Sequence, residues 1–272
     1  MSVEAAKRAA ARAAVAAHFS PSYTYVGIGS GTTIIYVHDL PPHHTIHFVP
    51  TGYQSRQVIL KAGLTPTLFD HLPDAVVLDV AFDGADEVDE ELNCIKGGGA
   101  CLFQEKLVAE RARRFVCVAD YRKSQPRLLT SWPTIPIEVA PIAVSPVLRS
   151  LKALGSPDPI VRPGALDKSG PLKTDQDFFI IDAPFPTLLT TKDVSAGAKG
   201  DGSDGKWEVQ ALSRAIKAIT GVLEVGLFAG SDGDEIAAKG GKAGGQKPVA
   251  VYFGMEDGSV VKRTQGGDEK LA

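Results

Sequence analysis

The sequence predicts an α/β protein: a Rossmann-like, doubly wound and mainly parallel sheet with a smaller α+β domain. Three observations carry this. Short apolar runs rich in β-branched residues alternate with helical patterns from Tyr25 to Ala119, the arrangement of a parallel sheet covered by helices. Gly29-Ser30-Gly31-Thr32-Thr33 separates the first strand from a helix. From Ile135 the pattern changes to shorter strands with prolines at their borders. The expected main domain is 1–134 with 207–272, and the small domain is 135–206, with a flexible insertion at 193–206.

The first element is a helix from about Val3 to Ala17. Its segment lacks the apolar core of a secretory signal, and Glu4 argues against reading its Ala/Arg content as a transit peptide. A strand at Tyr25–Ile28, the glycine-rich loop and a helix at Ile34–Leu40 follow. Strand, loop and helix N-terminus supply backbone N–H groups and hydroxyls to an anion. The loop lacks the Gly-Lys-Ser/Thr ending of a Walker motif and the third glycine of a dinucleotide fingerprint. A smaller anion, a sugar phosphate, remains.

A strand at Ile46–Val49 leads through Pro50-Thr51-Gly52 into a helix ending at Ala62. Val76–Phe82 is nearly all apolar, as for a strand buried on both faces. Asp83-Gly-Ala-Asp86 stands at its carboxyl end, where open α/β sheets bind ligands; the same residues also make a polar turn. The acidic run Asp86–Glu91 does not match a calcium loop and reads as a solvated face.

Lys96 precedes Gly97-Gly98-Gly99, which lets the backbone approach a ligand and aim N–H groups at an anion, or simply turn. In the helix that follows, Cys101, Leu102, Val108, Ala109 and Ala112 form an apolar stripe, and Glu105 falls inside it. A carboxylate there either reaches the edge of the stripe or faces a pocket. With Lys96, Asp83 and Asp86 so near in sequence, the pocket is the better reading. A strand at Phe115–Ala119 then ends in Asp120-Tyr121-Arg122-Lys123, where Lys123 reads equally as a phosphate partner or as an exposed loop lysine.

The small domain is read from Ile135–Val139, a helix at Pro146–Leu154, Ile160–Arg162 and Phe178–Asp182. A mobile insertion at Asp193–Lys206, a helix at Trp207–Ile219, a strand at Val222–Phe228 and a second Gly/Lys/Ala-rich loop at Ala229–Lys247 follow. Strands at Val249–Phe253 and Ser259–Lys262 finish the sheet, and the last residues fray.

Composition excludes several classes. The net charge of −3 gives no basic field for nucleic acid, and no apolar run is long enough to cross a bilayer. Three cysteines without a CxxC pair indicate a reducing compartment. The run His43-His44-Thr-Ile-His47 lacks a carboxylate partner at helical spacing, so no metal is expected.

Taken together, Gly27-Ile-Gly-Ser-Gly-Thr-Thr33, Asp83-Gly-Ala-Asp86, Lys96-Gly-Gly-Gly99 and Glu105-Lys106 resemble ribose-5-phosphate isomerase of the A type, particularly its fungal members. The resemblance runs from about Ala5 to about Gly254, interrupted by two insertions. It implies interconversion of D-ribose 5-phosphate and D-ribulose 5-phosphate through a cis-enediolate, in the non-oxidative branch of the pentose phosphate pathway. It also implies no cofactor, a cytoplasmic location, and a homodimer or homotetramer.

The reaction needs one carboxylate to move a proton between C2 and C1, a role that falls to Glu105. Lys96 and the N–H groups of Gly97, Gly98 and Gly99 would oppose charge on the oxygens. Asp83, Gly84, Ala85 and Asp86 would hold the hydroxyls, with Asp83 favoured as the relay. Ser30, Gly31, Thr32, Thr33 and Lys123 would hold the phosphate, joined by Lys7 because the family places a lysine there. Thr174–Phe179 and Val225-Gly226 depart from the family pattern, the first in a turn and the second where many relatives have Asn-Gly or Thr-Gly. A sugar-phosphate sensor, an aminosugar-phosphate isomerase or a CoA transferase on a related fold are the competing classes; a sensor would not need Lys96 and Glu105 together.

Overall fold

A computed structural model describes residues 3–30, 45–165 and 169–271. The expected helix Ile34–Leu40, the loop residues Gly31, Thr32 and Thr33, and His43 and His44 lie outside the described residues. In chain order the elements are α1 (Val3–His18), β1 (Tyr25–Ile28), β2 (His47–Pro50), α2 (Tyr53–Lys61), β3 (Val80–Gly84), β4 (Glu87–Val88), β5 (Cys94–Ile95) and α3 (Leu102–Arg111). Then come β6 (Phe115–Asp120), β7 (Ile135–Val139), α4 (Val144–Ala153), β8 (Ile160–Val161), β9 (Phe179–Ala183), α5 (Thr191–Ser195) and α6 (Val209–Lys217). The last are β10 (Val222–Val225), β11 (Leu227–Phe228), α7 (Gly233–Ala238), β12 (Ala250–Gly254), β13 (Val260–Thr264) and β14 (Gly267–Leu271).

By its contacts the chain divides into two units: Met1–Ala85, Gln104–Ser124 and Gly230–Ala272 form one, and Asp86–Phe103 and Gln125–Ala229 the other. Among the described residues of the first unit is a seven-stranded sheet ordered β14-β13-β12-β6-β3-β1-β2. The strands from β12 to β2 run parallel, and β13 and β14 extend the sheet antiparallel. From β1 the chain moves to β2 on one side and then to β3 on the other. The order therefore reverses between β1 and β3, the switch point at which such sheets open a ligand crevice. This is the expected doubly wound sheet.

Burial on both faces explains the unbroken apolar strands: every residue of β6 is buried. Ala10, Ala11 and Ala14 of α1 pack on a core that includes Val26, Phe82, Val116, Val118 and Tyr252. The small alanines let the helix come close, and a Cβ at Gly254 would overlap the carbonyl of Ala6.

The second unit holds an antiparallel sheet ordered β10-β7-β9-β8 and a small sheet ordered β11-β5-β4. Val209, Leu212 and Ile216 recur on one face of α6 and join Ile135, Ile137, Val147, Leu151 and Ile181 in its core. The run expected as one strand, Val222–Phe228, breaks at Gly226 into β10 and β11. Gly226 donates its N–H to the Pro136 carbonyl at 2.7 Å and accepts from the Lys96 N–H at 2.9 Å. A Cβ there would overlap the Lys96 carbonyl and stand 2.7 Å from that of Pro136. Only glycine fits where the chain passes from one sheet to the other.

Other expectations need correction. The strand expected over Val76–Phe82 begins at Val80 and includes Asp83 and Gly84. Upstream, the Arg111 guanidinium takes the carbonyls of Val76, Pro73 and Asp74 at 2.7, 2.7 and 3.0 Å, so they join no ladder. The acidic run is a solvated face only in part: Glu90 is exposed, but Glu87 and Asp89 are fully buried. Glu87 accepts from the N–H groups of Leu129, Ser131 and Trp132 at 2.5, 2.7 and 3.0 Å, and Asp89 from those of Glu91 and Asn93 at 2.9 and 2.8 Å. Donors in such number replace the lost water.

In the stretch from Asp193, a capping box of Thr190 and Asp193 starts α5, and Arg127 grips Asp193 at 2.6 and 2.9 Å. A second box, of Asp232 and Glu235, starts α7 within the loop expected over Ala229–Lys247. The last described residues, Gly267–Leu271, form a strand rather than a frayed end. They pair as β14 with β13, and Arg263 holds Asp268 at 2.7 and 2.9 Å.

Candidate active site

At the switch point, β1 runs into Gly29 and Ser30, and β3 ends in Asp83 and Gly84. The Gly29 N–H donates to the Phe82 carbonyl at 2.7 Å, which brings Gly29 against Asp83. A Cβ at Gly29 would overlap the Asp83 carboxylate. Asp83 is buried, and its Oδ1 accepts the Gly84 N–H at 2.7 Å. Gly29 is thus a residue of the site that sequence reading missed as a site residue, although it stood in the glycine-rich loop.

The next residue holds the other carboxylate. Ser30 Oγ donates to Glu105 Oε1 at 2.5 Å, and Glu105 is only 5% exposed. Two features bring α3 here. A Cβ at Gly27 would stand 2.6 Å from Val108 Cγ1, so the glycine makes room for the helix against β1. Gln104 Nε2 donates to the Pro50 carbonyl at the end of β2, 3.0 Å away. Two consecutive residues therefore position two buried carboxylates.

Lys7 and Lys123 belong to the same unit. Gly254 and Asp120 pair at the carboxyl ends of β12 and β6, and a Cβ at Gly254 would stand 3.0 Å from the backbone nitrogen of Lys7. Burial raises the Asp120 carboxyl, but hydrogen bonds and charge from Arg122, with a smaller contribution from the Lys7 charge, outweigh it and hold the group below the usual carboxylate range. Lys7 Nζ also donates to Glu4 Oε1 at 3.2 Å. Asp120 caps the short turn Tyr121–Lys123, which ends in Lys123.

The remaining candidates lie in the second unit. Lys96 is buried, and its ammonium stands 5.4 Å from the centre of the Phe228 ring. Gly97 has φ +110° and Ala100 φ +58°, with the Ala100 N–H donating to the Gly97 carbonyl at 3.0 Å. This tight turn tolerates no side chain at Gly97, where a Cβ would stand 2.7 Å from Leu102 Cδ2. The Gly98 N–H donates to Asp86 Oδ2 at 2.7 Å, so the loop holds a carboxylate with a backbone donor. Arg162, not singled out in the sequence, donates from Nη1 to the carbonyls of Gly97 and Gly98 at 2.9 and 3.1 Å.

Ser30, Asp83, Gly84 and Glu105 thus come together in the first unit, and Asp86, Lys96, Gly97 and Gly98 in the second, with Gly99 next in the loop. Ala85 is the last residue before Asp86; Gly31, Thr32 and Thr33 lie outside the described residues. His47 stacks on Tyr25 at 4.8 Å. Among the described residues no group of three or more His, Cys, Asp or Glu could hold a metal ion, and no helix is long and apolar enough to cross a membrane.

Buried carboxylates at a switch point, one of them held by a hydroxyl, define an α/β protein equipped for proton transfer on a small polar ligand. The family model for ribose 5-phosphate isomerase A (phosphoriboisomerase A) matches residues 47–241. The ribose-5-phosphate isomerase of Mycosarcoma maydis is 46% identical over 98% of this chain and 83% of its own length. That of Schizosaccharomyces pombe is 41% identical over 99% and 86%. Among solved structures, a D-ribose-5-phosphate isomerase in complex with phospho-erythronic acid superposes with TM-score 0.76 at 29% identity, covering 100% of this chain and 99% of its own. Ribose 5-phosphate isomerase A of Methanocaldococcus jannaschii gives 0.73 at 27% identity, covering 99% of each chain. The chain belongs to the ribose 5-phosphate isomerase A family.

Proposed function

We propose that this enzyme interconverts D-ribose 5-phosphate and D-ribulose 5-phosphate, with Glu105 as the base that carries the proton. The observation that carries the assignment of the base is the buried Glu105 carboxylate tethered by Ser30 at 2.5 Å. Glu105 removes the proton from C2, the charge spreads over a cis-enediolate, and the same carboxylate returns the proton to C1. Such acid–base help is worth about 10²–10⁴ in rate. The Lys96 ammonium opposes the charge growing on the oxygens, and the N–H groups of Gly97, Gly98 and Gly99 add fixed dipoles. Asp83 relays a proton between the C1 and C2 oxygens or opens the ring, while Gly84, Ala85 and Asp86 help hold the hydroxyls. The phosphate lies against Ser30, Gly31, Thr32, Thr33, Lys123 and Lys7. No cofactor enters this scheme.

Family membership supports a place in the non-oxidative branch of the pentose phosphate pathway and a homodimer or homotetramer. It also supports a cytoplasmic location.

The test is conversion of ribose 5-phosphate in the presence of a chelator, for the wild type and Glu105→Gln. The wild type should turn over, and the variant should lose at least about a hundredfold in kcat while still binding substrate. A wild type that binds the sugar phosphate without converting it would be a sensor. A fully active Glu105→Gln would remove Glu105 from the mechanism.

A further inference from the structure

We propose that Arg162 is a positioning residue that aims the backbone donors of the glycine loop. Arg162 Nη1 bridges the carbonyls of Gly97 and Gly98 at 2.9 and 3.1 Å. Each of these carbonyls shares a planar trans peptide with the next N–H, which points the opposite way. A cation that fixes the carbonyls of Gly97 and Gly98 therefore fixes the directions of the Gly98 and Gly99 N–H groups. It also draws electron density toward the carbonyls, which makes both N–H groups better donors. The Gly98 N–H is engaged by the Asp86 carboxylate at 2.7 Å, so fixing it sets Asp86, and the Gly99 N–H is the amide aimed at the oxygens.

The guanidinium is itself fixed. Nε and Nη2 donate to the two oxygens of Asp182 at 2.8 and 2.6 Å, leaving Nη1 for the loop. Asp182 sits in β9 between β7 and β8. The Arg162 N–H donates to the Ile180 carbonyl at 2.8 Å, and its own carbonyl accepts from Leu172 at 3.0 Å. The Arg162 side chain is 15% exposed. A rigid strand thus sets a planar fork, and the fork sets two amides. Lysine cannot replace it, because an ammonium has no fork to divide between a carboxylate and two carbonyls.

This inference rests on the proposed role of the loop amides at the developing oxyanion. Its test compares Arg162→Gln, Arg162→Lys and Asp182→Asn with the wild type, reading kcat, KM for ribose 5-phosphate, and the amide signals of Gly98 and Gly99 in ¹⁵N-glycine-labelled protein. Arg162→Gln should lower kcat by about tenfold to a hundredfold, with KM within about threefold. Its Gly98 and Gly99 amides should shift, and Gly98, whose N–H bonds to Asp86, should exchange at least about tenfold faster, while the amides of β7 and β9 stay protected. Arg162→Lys should recover neither, and it serves as the readout if the glutamine variant does not fold. Asp182→Asn, which loosens the fork without removing it, should fall between. Unchanged amide signals, or kcat within about twofold of wild type in a folded Arg162 variant, would overturn the proposal. If the wild type proves inert on ribose 5-phosphate, the functional reading fails, and the amide signals alone decide whether Arg162 holds the loop.

Discussion

Ser30 Oγ donates to Glu105 Oε1 at 2.5 Å, so the buried carboxylate of α3 is held by the residue that follows Gly29, the close neighbour of Asp83. If the contact holds the base in position, the pair behaves as a unit. Ser30→Ala should lower kcat by about tenfold, yet add little to the defect of Glu105→Gln. Measuring kcat for both single variants and the double variant tests this. A further loss of about tenfold in kcat from Ser30→Ala in the Glu105→Gln background would mean that Ser30 serves turnover through its phosphate contact rather than through Glu105.

A methyl group at Gly29 would occupy the space of the Asp83 carboxylate. Gly29→Ala should lose about 1–3 kcal/mol of stability and most of its activity, as overpacked sites do. Combining it with Asp83→Gly, which also removes the Asp83 Cβ that would lie 2.6 Å from the added methyl, should recover part of the stability but not the turnover. Thermal unfolding of the three variants would expose the alternative, a loss that persists when Asp83 is shortened.

Gly226 connects two sheets and accepts the Lys96 N–H at 2.9 Å. Gly226→Ala should destabilise the protein by about 1–3 kcal/mol and shift the Lys96 backbone, so kcat falls as well. Urea unfolding with parallel kinetics reads both effects. A stable variant with normal kcat would mean that the crossing accommodates a side chain.

Burial pushes the Asp89 carboxyl from 3.8 up to about 6, although hydrogen bonds from Asn93 and the Glu91 N–H oppose it. Between these values the folded chain holds a proton that the unfolded chain has released, so stability falls as pH rises through the window. Asp89→Asn keeps the shape and removes the titration. The stability of the variant relative to wild type should therefore grow between about pH 4 and 7 in urea titrations. A difference independent of pH would mean that Asp89 ionises alike in both states.

The sequence made β1, β3 and β6 legible because strands buried on both faces leave continuous apolar runs, and it marked Asp83 and Glu105 because charged residues interrupt such patterns. Glu87 and Asp89 were misread for the opposite reason. Their acidity is visible locally, but the donors that satisfy Glu87 lie at Leu129, Ser131 and Trp132. Arg162 escaped because its significance lies in carbonyls of Gly97 and Gly98 more than sixty residues earlier. β14 escaped because Asp268-Glu269-Lys270 has no apolar alternation, and only pairing with β13 makes it a strand.

The position of β14 affects behaviour in concentrated solution. It is the outermost strand of its sheet, next to β13, and carries Asp268, Glu269 and Lys270 in succession, all exposed. A free strand edge invites another chain to add to it, and consecutive charges oppose this because each would be stripped of water by the newcomer. β14 thus acts as a hydrophilic border over β13, whose Val260 and Val261 would otherwise form the rim. Chains lacking this border should aggregate edge to edge.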